Sequence, residues 1–432
     1  MKILIVSYTY LPDKNPRSLR WSQLLNHWSE KGHDIHVVTA SQASSEEPGN
    51  LKILRVNENL IGRIRKKLLE KRVNSGRIES YTSRNLISIN FITSIVRKLV
   101  SRLYKNLLKN LQWPDYAWTW ISNATKESIS LVNNNGPFDV LISVSHPFSS
   151  HLVAKHIKIK NPNLNWLIDM GDPFCFLHEA QPNNFDRYNK KNQDTEEEVF
   201  NLCKYASVTT EETKIEYSNI FPESAHKIKV IPPLVDEEVL RELINYNDKE
   251  NNSNSFLKLV FVGTLYSKIR NPNYLLKFLE KINHLLDKDI EMHFFGLTND
   301  VKVEELDNMD YPIYFHGEVS KEESFRQVLS ADILVNIGNS THYQLPSKLV
   351  EYALSGKPIL NVSSVNNDSS ANFLKKHPNS KTICSSEPLT ESLLLEIVKF
   401  FNESSSHDFD GEDFIKNHRI SMISKEYENL LS

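Results

Sequence analysis

Three cysteines in 432 residues, Cys175, Cys203 and Cys384, are far apart and odd in number. They exclude a disulfide framework and fit no metal-ligand spacing, so a reducing compartment is the simplest setting. The chain also lacks any run of about 18 apolar residues, the length a membrane-spanning helix needs. Its opening, Met1-Lys2-Ile3-Leu4-Ile5-Val6-Ser7-Tyr8, is a short apolar run followed by Pro12, Asp13 and Lys14. That is the pattern of a buried first strand, not of a signal peptide, and the expected location is the cytoplasm. Gly-x-Gly-x-x-Gly is missing both from Tyr8 to Arg20 and from Gly263 to Asn273, which removes a dinucleotide-dependent oxidoreductase. A strong net charge is absent too: the formal value is −3 and says little about partners.

What is present is ordinary for a soluble globular protein, with 40% hydrophobic and 24% charged residues. The length exceeds one core and predicts two domains of roughly 200 residues each. Charge is uneven locally. Between Ile61 and Asn110 thirteen Lys or Arg face two acids, Glu70 and Glu79, a local excess of +11. Within that segment Phe91 to Tyr104 carries apolar residues at helical spacing with basic residues between them. Such a stretch either lies on an anionic membrane surface or packs as a helix with a solvated basic face. No nucleic-acid motif accompanies the charge.

β-rich runs alternate with helical patterns through both halves, which predicts an α/β chain of parallel sheets covered on both faces. In the first half the strands are Lys2 to Tyr8, Asp34 to Thr39, Asp139 to Val144, Trp166 to Asp169, Ala206 to Thr209 and Lys227 to Ile231, with the first helix at Arg20 to Lys31. Pro232-Pro233 and the polar tract Asn247 to Ser255 mark a domain change. The same grammar restarts at Leu257 to Val262. The expected organisation is a first domain over 1–235 with a basic helical insertion at about 61–110, a second domain over 236–411, and a C-terminal helix over 412–432 packing back toward the first. Two Rossmann-like, doubly wound halves facing a cleft is the predicted architecture.

The segment Gln344 to Leu360 carries the most chemistry. Pro346 ends what precedes it, Ser347 can cap the first free N–H groups, and Gly356 supplies a left-handed closing residue before Pro358. A helix start attracts anions, Lys348 adds a cation, and Glu351 lies one turn further in, where a carboxylate can accept from sugar hydroxyls. Diphosphate at the helix tip and ribose against Glu351 would suit a nucleotide sugar. An ordinary capped core helix is the alternative. Position favours function, because the segment follows the apolar strand Asp332 to Gly338, at the carboxyl end where open α/β sheets bind ligands.

Further motifs occur in order. Tyr10-Leu11-Pro12 and Arg20 precede Glu30-Lys31-Gly32-His33-Asp34-Ile35-His36-Val37-Val38-Thr39. Ser143-Val144-Ser145-His146-Pro147-Phe148-Ser149-Ser150-His151 precedes Trp166-Leu167-Ile168-Asp169-Met170-Gly171-Asp172-Pro173-Phe174. Ile231-Pro232-Pro233-Leu234-Val235-Asp236, Phe261-Val262-Gly263-Thr264-Leu265, Arg270-Asn271-Pro272 and His316-Gly317-Glu318-Val319 follow. Over nearly its full length the chain resembles a GT-B glycosyltransferase of the large retaining family 4. Three positions and one loop depart from that pattern. The family's paired glutamates are eight positions apart, so with Glu351 as the second the first falls on Tyr343. Thr264 stands for an arginine, Gly171 for the arginine of "F-R-D", and the loop Asp13-Lys14-Asn15-Pro16-Arg17 has no glycine.

The resemblance implies glycosyl transfer from a nucleotide-diphosphate sugar to a glycan or lipid-linked acceptor in surface polysaccharide synthesis. It implies no metal and no other cofactor. Arg270, Lys268 and Lys348 would meet the diphosphate, Glu351 the ribose, and backbone at Gly317 to Val319 the base, with Gly263, Thr264 and Ser347 lining the site. His146 and Asp172 follow strand ends and would position or deprotonate an acceptor hydroxyl; the alternatives are a loop histidine beside Pro147 and a cap before Pro173. Arg20 would close over the phosphates, and the basic insertion would suit an anionic inner-membrane surface. A nucleotide-sugar 2-epimerase of the same fold would isomerise a monosaccharide without an acceptor, and an inactive scaffold would bind nucleotide without turnover.

Overall fold

The computed structural model describes residues 1–13, 15–42, 51–63, 65, 109–235, 239, 255–302, 309–403 and 411–431. The basic segment 61–110 therefore lies almost wholly outside the described residues, and the amphipathic stretch 91–104 entirely so. No helix among the described residues is long and apolar enough to cross a membrane.

The chain divides into two compact units. One comprises Met1–Ser207, Glu223–Lys229 and Leu431; the other comprises Val208–Pro222, Val230–Leu430 and Ser432.

In the first, Lys2–Ser7 (β1), Asp34–Thr39 (β2), Lys52–Arg55 (β3), Val140–Val144 (β4), Asn165–Asp169 (β5), Tyr205–Val208 (β6) and Ile228–Val230 (β7) form a sheet ordered β3-β2-β1-β4-β5-β6-β7. β1 pairs in parallel with β2 and β4, with Ile3 opposite both Ile35 and Val140. Ile3 to Val6 are fully buried, because helices cover both faces of such a sheet, which is why the strand is an unbroken apolar run. Helix Pro16–Glu30 (α1) starts four residues before the predicted Arg20. Asn15 accepts from the Ser18 N–H at 2.9 Å and Pro16 occupies the first turn, where a missing N–H costs nothing. Helices Ile121–Asn135 (α2), Ser149–Lys160 (α3) and Phe185–Leu202 (α4) follow.

The second unit includes helix Glu211–Ile220 (α5) and a sheet ordered β10-β9-β8-β11-β12-β13. Its strands are Phe256–Val262 (β8), Asp289–Phe295 (β9), Ile313–Phe315 (β10), Ile333–Ile337 (β11), Ile359–Ser363 (β12) and Ser380–Cys384 (β13). Helices Asn273–Asn283 (α6), Lys321–Leu329 (α7), Lys348–Leu354 (α8) and Ser369–Leu374 (α9) lie between the strands. Leu259, Leu279, Met292 and Val335 form the core on one face; Val260, Phe325, Leu334 and Leu349 form it on the other. β3 and β13 were not predicted. Both are edge strands with partly exposed residues, and half-solvated edges carry a weak apolar pattern.

Candidate functional site

In the second sheet the strand order reverses at β8, so the switch point, where open α/β sheets bind ligands, lies where β8 and β11 end, at Gly263 and Gly338. Backbone comes close together there. Gly296 has φ +129°, and a Cβ on it would sit 2.1 Å from the Gly263 carbonyl oxygen. Its N–H donates to the carbonyl of Gly317 at 2.7 Å, and Gly317 itself has φ +71°. Only glycine allows that approach without strain. Arg270 closes a turn with Tyr266 through backbone bonds of 3.2 and 3.0 Å. Its guanidinium folds back over the strand end, donating to Asn339 Oδ1 at 2.8 Å and to the Thr264 carbonyl at 3.4 Å. Burial pulls its pKa below the usual guanidinium value, yet a guanidinium remains charged. Lys268 lies exposed on the same turn, and Val319 packs against the core.

Helix α8 is closed by Gly356 at φ +68°, as the sequence predicts. Its start differs from expectation. Ser347 has helical backbone angles and makes no capping bond. The Leu349 N–H instead donates to the Pro346 carbonyl at 3.1 Å. That turn holds Ser347 out of the extended conformation a cap requires. Lys348 and Glu351 come together, Nζ to Oε2 at 2.7 Å, with side chains 28% and 14% exposed. Tyr343 is buried, and its carbonyl accepts from the hydroxyls of Thr210 at 2.7 Å and Thr213 at 2.9 Å at the start of α5. The neighbouring His342 Nε2 lies 3.0 Å from Glu216 Oε1.

In the first sheet the reversal falls between β1 and β4, and Tyr8 and Ser145-His146 follow those strands. The Tyr8 hydroxyl and Thr119 Oγ1 donate to Glu58, the latter at 2.7 Å, with Arg65 at 3.7 Å from the same carboxylate. Burial, then the hydrogen bond to Glu58, push the Tyr8 phenol up. Tyr116 meets Tyr8 edge-on at 5.6 Å and lies 5.5 Å from the His146 ring. Asp115 accepts from the Ser149 N–H at 2.8 Å and its hydroxyl at 2.6 Å, fixing the start of α3.

Asp169, at the end of β5, is buried. Burial pushes its carboxyl up, but Arg17 at 3.0 Å, the charge of Arg20, the Trp21 indole N–H at 2.8 Å and the Ser207 hydroxyl at 2.8 Å more than offset this and hold it below the usual range. Arg20 thus sits one turn inside α1, 6% exposed, with its charge on Asp169. Asp172 is partly buried three residues beyond β5. At Gly171 a Cβ would meet the Ser145 carbonyl oxygen at 2.3 Å and Arg17 Nε at 2.5 Å. Arg17, arriving from α1, fills the space a side chain at 171 would take.

No protein-family model matches the chain, and a search of curated proteins finds no match. Solved structures do match over its whole length. WaaG, a glycosyltransferase involved in lipopolysaccharide biosynthesis, is 13% identical with a TM-score of 0.58, and both chains are covered completely. TarM is 10% identical with a TM-score of 0.62, covering 100% of this chain and 98% of the other. Anabaena HepE, solved in complex with UDP-glucose, is 12% identical with a TM-score of 0.55, covering 100% and 99%.

The fold is GT-B.

On this GT-B frame Arg270, Gly263, Thr264, Gly317, Lys348 and Glu351 belong to the second unit, and Arg20, His146 and Asp172 to the first. Sequence reasoning missed Glu58, Arg17 and Asp169 in the first unit, and Glu216 and His342 in the second. Arg17 left one trace, as a cation in a loop where the family has glycine; the carboxylates left none, because each pairs with residues remote in sequence.

Proposed function

We propose that the chain transfers a sugar from a nucleotide-diphosphate sugar to a hydroxyl of a glycan or lipid-linked acceptor, with retention and without a metal, in surface polysaccharide synthesis. The observation that carries this is a partly buried guanidinium, Arg270, held by Asn339 at the β8/β11 switch point of a GT-B sheet. As the anomeric C–O bond breaks, negative charge grows on the departing diphosphate. A preorganised cation in a site of low dielectric constant stabilises that charge more than water does. Arg270 supplies one such cation and Lys348 a second. Glu351, an acceptor-only carboxylate, takes the ribose hydroxyls, and the glycine-framed backbone at Gly263 and Gly317 to Val319 admits the base. Thr264, Lys268 and Ser347 border this donor site.

On the other unit, His146 and Asp172 hold the acceptor hydroxyl; Arg20, expected over the phosphates, is instead buried with its charge on Asp169. The chain works in the cytoplasm, with the basic segment 61–110 meeting the anionic inner face of the membrane. The UDP-glucose complex of HepE supports the donor class.

A thermal-shift screen with UDP, GDP, dTDP, ADP and CMP tests the reading, since a ligand that binds only the native state raises the melting temperature. One diphosphate is expected to stabilise the protein, and turnover of its sugar conjugates is expected to persist in chelator. No shift with any nucleotide would remove the reading. Activity lost in chelator and restored by Mg²⁺ would remove its metal-independent mechanism.

A further inference from the structure

The loop after β11 is pinned from two sides. Asn339 accepts from Arg270 at 2.8 Å and its carbonyl accepts from Ser364 at 3.2 Å. Further along, the Tyr343 carbonyl takes both threonine hydroxyls from the start of α5, and the His342 carbonyl accepts from the Ser369 N–H at 2.8 Å. Between these anchors His342 projects its ring at Glu216, one further turn along α5 from Thr213. A carboxylate oxygen accepts, so His342 Nε2 donates to Glu216 and Nδ1 is the ring's other hydrogen-bonding atom. The two side chains remain 45% and 31% exposed. A core-forming polar pair would be buried. This one is oriented by its neighbours, open to a ligand, and on the same loop as the Arg270 anchor.

We propose that His342, oriented by Glu216, forms a hydrogen bond at Nδ1 with a hydroxyl of the transferred sugar, making the pair a specificity determinant for the donor's hexose rather than for its nucleotide. This rests on the glycosyl-transfer reading above. Tyr343 is unable to serve there, since its ring is buried and its carbonyl is used. The pair supplies hydrogen-bonding capacity from residues 126 positions apart.

The test compares two ligands of the same protein by calorimetry, the nucleoside diphosphate that the thermal screen selects and its hexose conjugate. His342→Ala is expected to leave diphosphate affinity unchanged and to weaken the conjugate roughly tenfold, the size of one lost hydrogen bond to a polar site. Glu216→Gln, nearly isosteric and part-exposed, is expected to give a smaller loss in the same direction and an unchanged melting temperature without ligand. Equal weakening of both ligands, or of neither, would overturn the proposal; the former would make the pair a clamp between α5 and the loop. If the wild-type protein binds no diphosphate at all, the glycosyl-transfer reading falls and takes this inference with it.

Discussion

The carboxyl edges of the two sheets use similar residues to opposite ends. At the first, three carboxylates are held by the protein itself: Asp169 by Arg17, Trp21 and Ser207, Glu58 by Tyr8 and Thr119, Asp115 by Ser149. These groups are buried, and a buried charge is tolerated only when paired and hydrogen-bonded. At the second edge the charged groups stay partly exposed. Lys348 holds Glu351 through a single ion pair, His342 holds Glu216 through a single contact, and Arg270 uses two of its five donor hydrogens on described partners. These three carboxylates of the first edge are spent on the scaffold; the partly exposed groups of the second are the ones proposed above to meet an anionic, hydroxyl-rich ligand.

If that contrast holds, substitutions at the three paired carboxylates of the first edge lower stability and those at the second edge lower binding. Asp169→Asn has the largest expected effect. It removes the carboxylate charge that faces Arg17 and Arg20 and is expected to cost roughly 3–5 kcal/mol, read from denaturant unfolding. The same carboxyl gives a pH signature. Its folded pKa lies below its unfolded value of about 3.9, so its stabilisation is complete above the unfolded pKa and is lost as pH falls through the folded one. Asp169→Asn should flatten that acid limb, and an unchanged limb would show that Asp169 is not the group responsible.

Arg270→Ala comes next, with transfer falling about 10²- to 10³-fold, the scale of one lost charge-stabilising donor, and with the unfolding midpoint little altered. A large stability loss there would erase the contrast. Gly171→Ala should destabilise by about 1–3 kcal/mol, because its Cβ collides with the Ser145 backbone as well as with Arg17. The smallest effect is expected for Glu351→Ala: nucleotide affinity down roughly tenfold with the fold intact. Unchanged affinity in calorimetry would take Glu351 out of the site.

Much of the fold was legible in residue order. Apolar runs such as Ile3-Leu4-Ile5-Val6 and Ile333-Leu334-Val335 announce strands covered on both faces, and Gly356 with Pro358 announces where α8 stops. Short-range rules failed where a turn overrode them, as at Ser347, or where a cap lay further upstream than the apolar pattern, as at Asn15. The donor-side candidates were visible because they share one loop or one turn, whereas the polar clusters were not, because their members come from separate elements.

Local periodicity and punctuation were therefore enough for the α/β class, most of the strands and the segment Gln344 to Leu360, since those depend on neighbours within one turn or one strand. Only the folded chain decides that Arg17 occupies the space beside Gly171, that Tyr343 is turned inward under Thr210 and Thr213, and that Glu216 meets His342. Each joins residues more than a hundred positions apart, brought together by burial of the sheets' apolar faces, for which the intervening sequence carries no local signal.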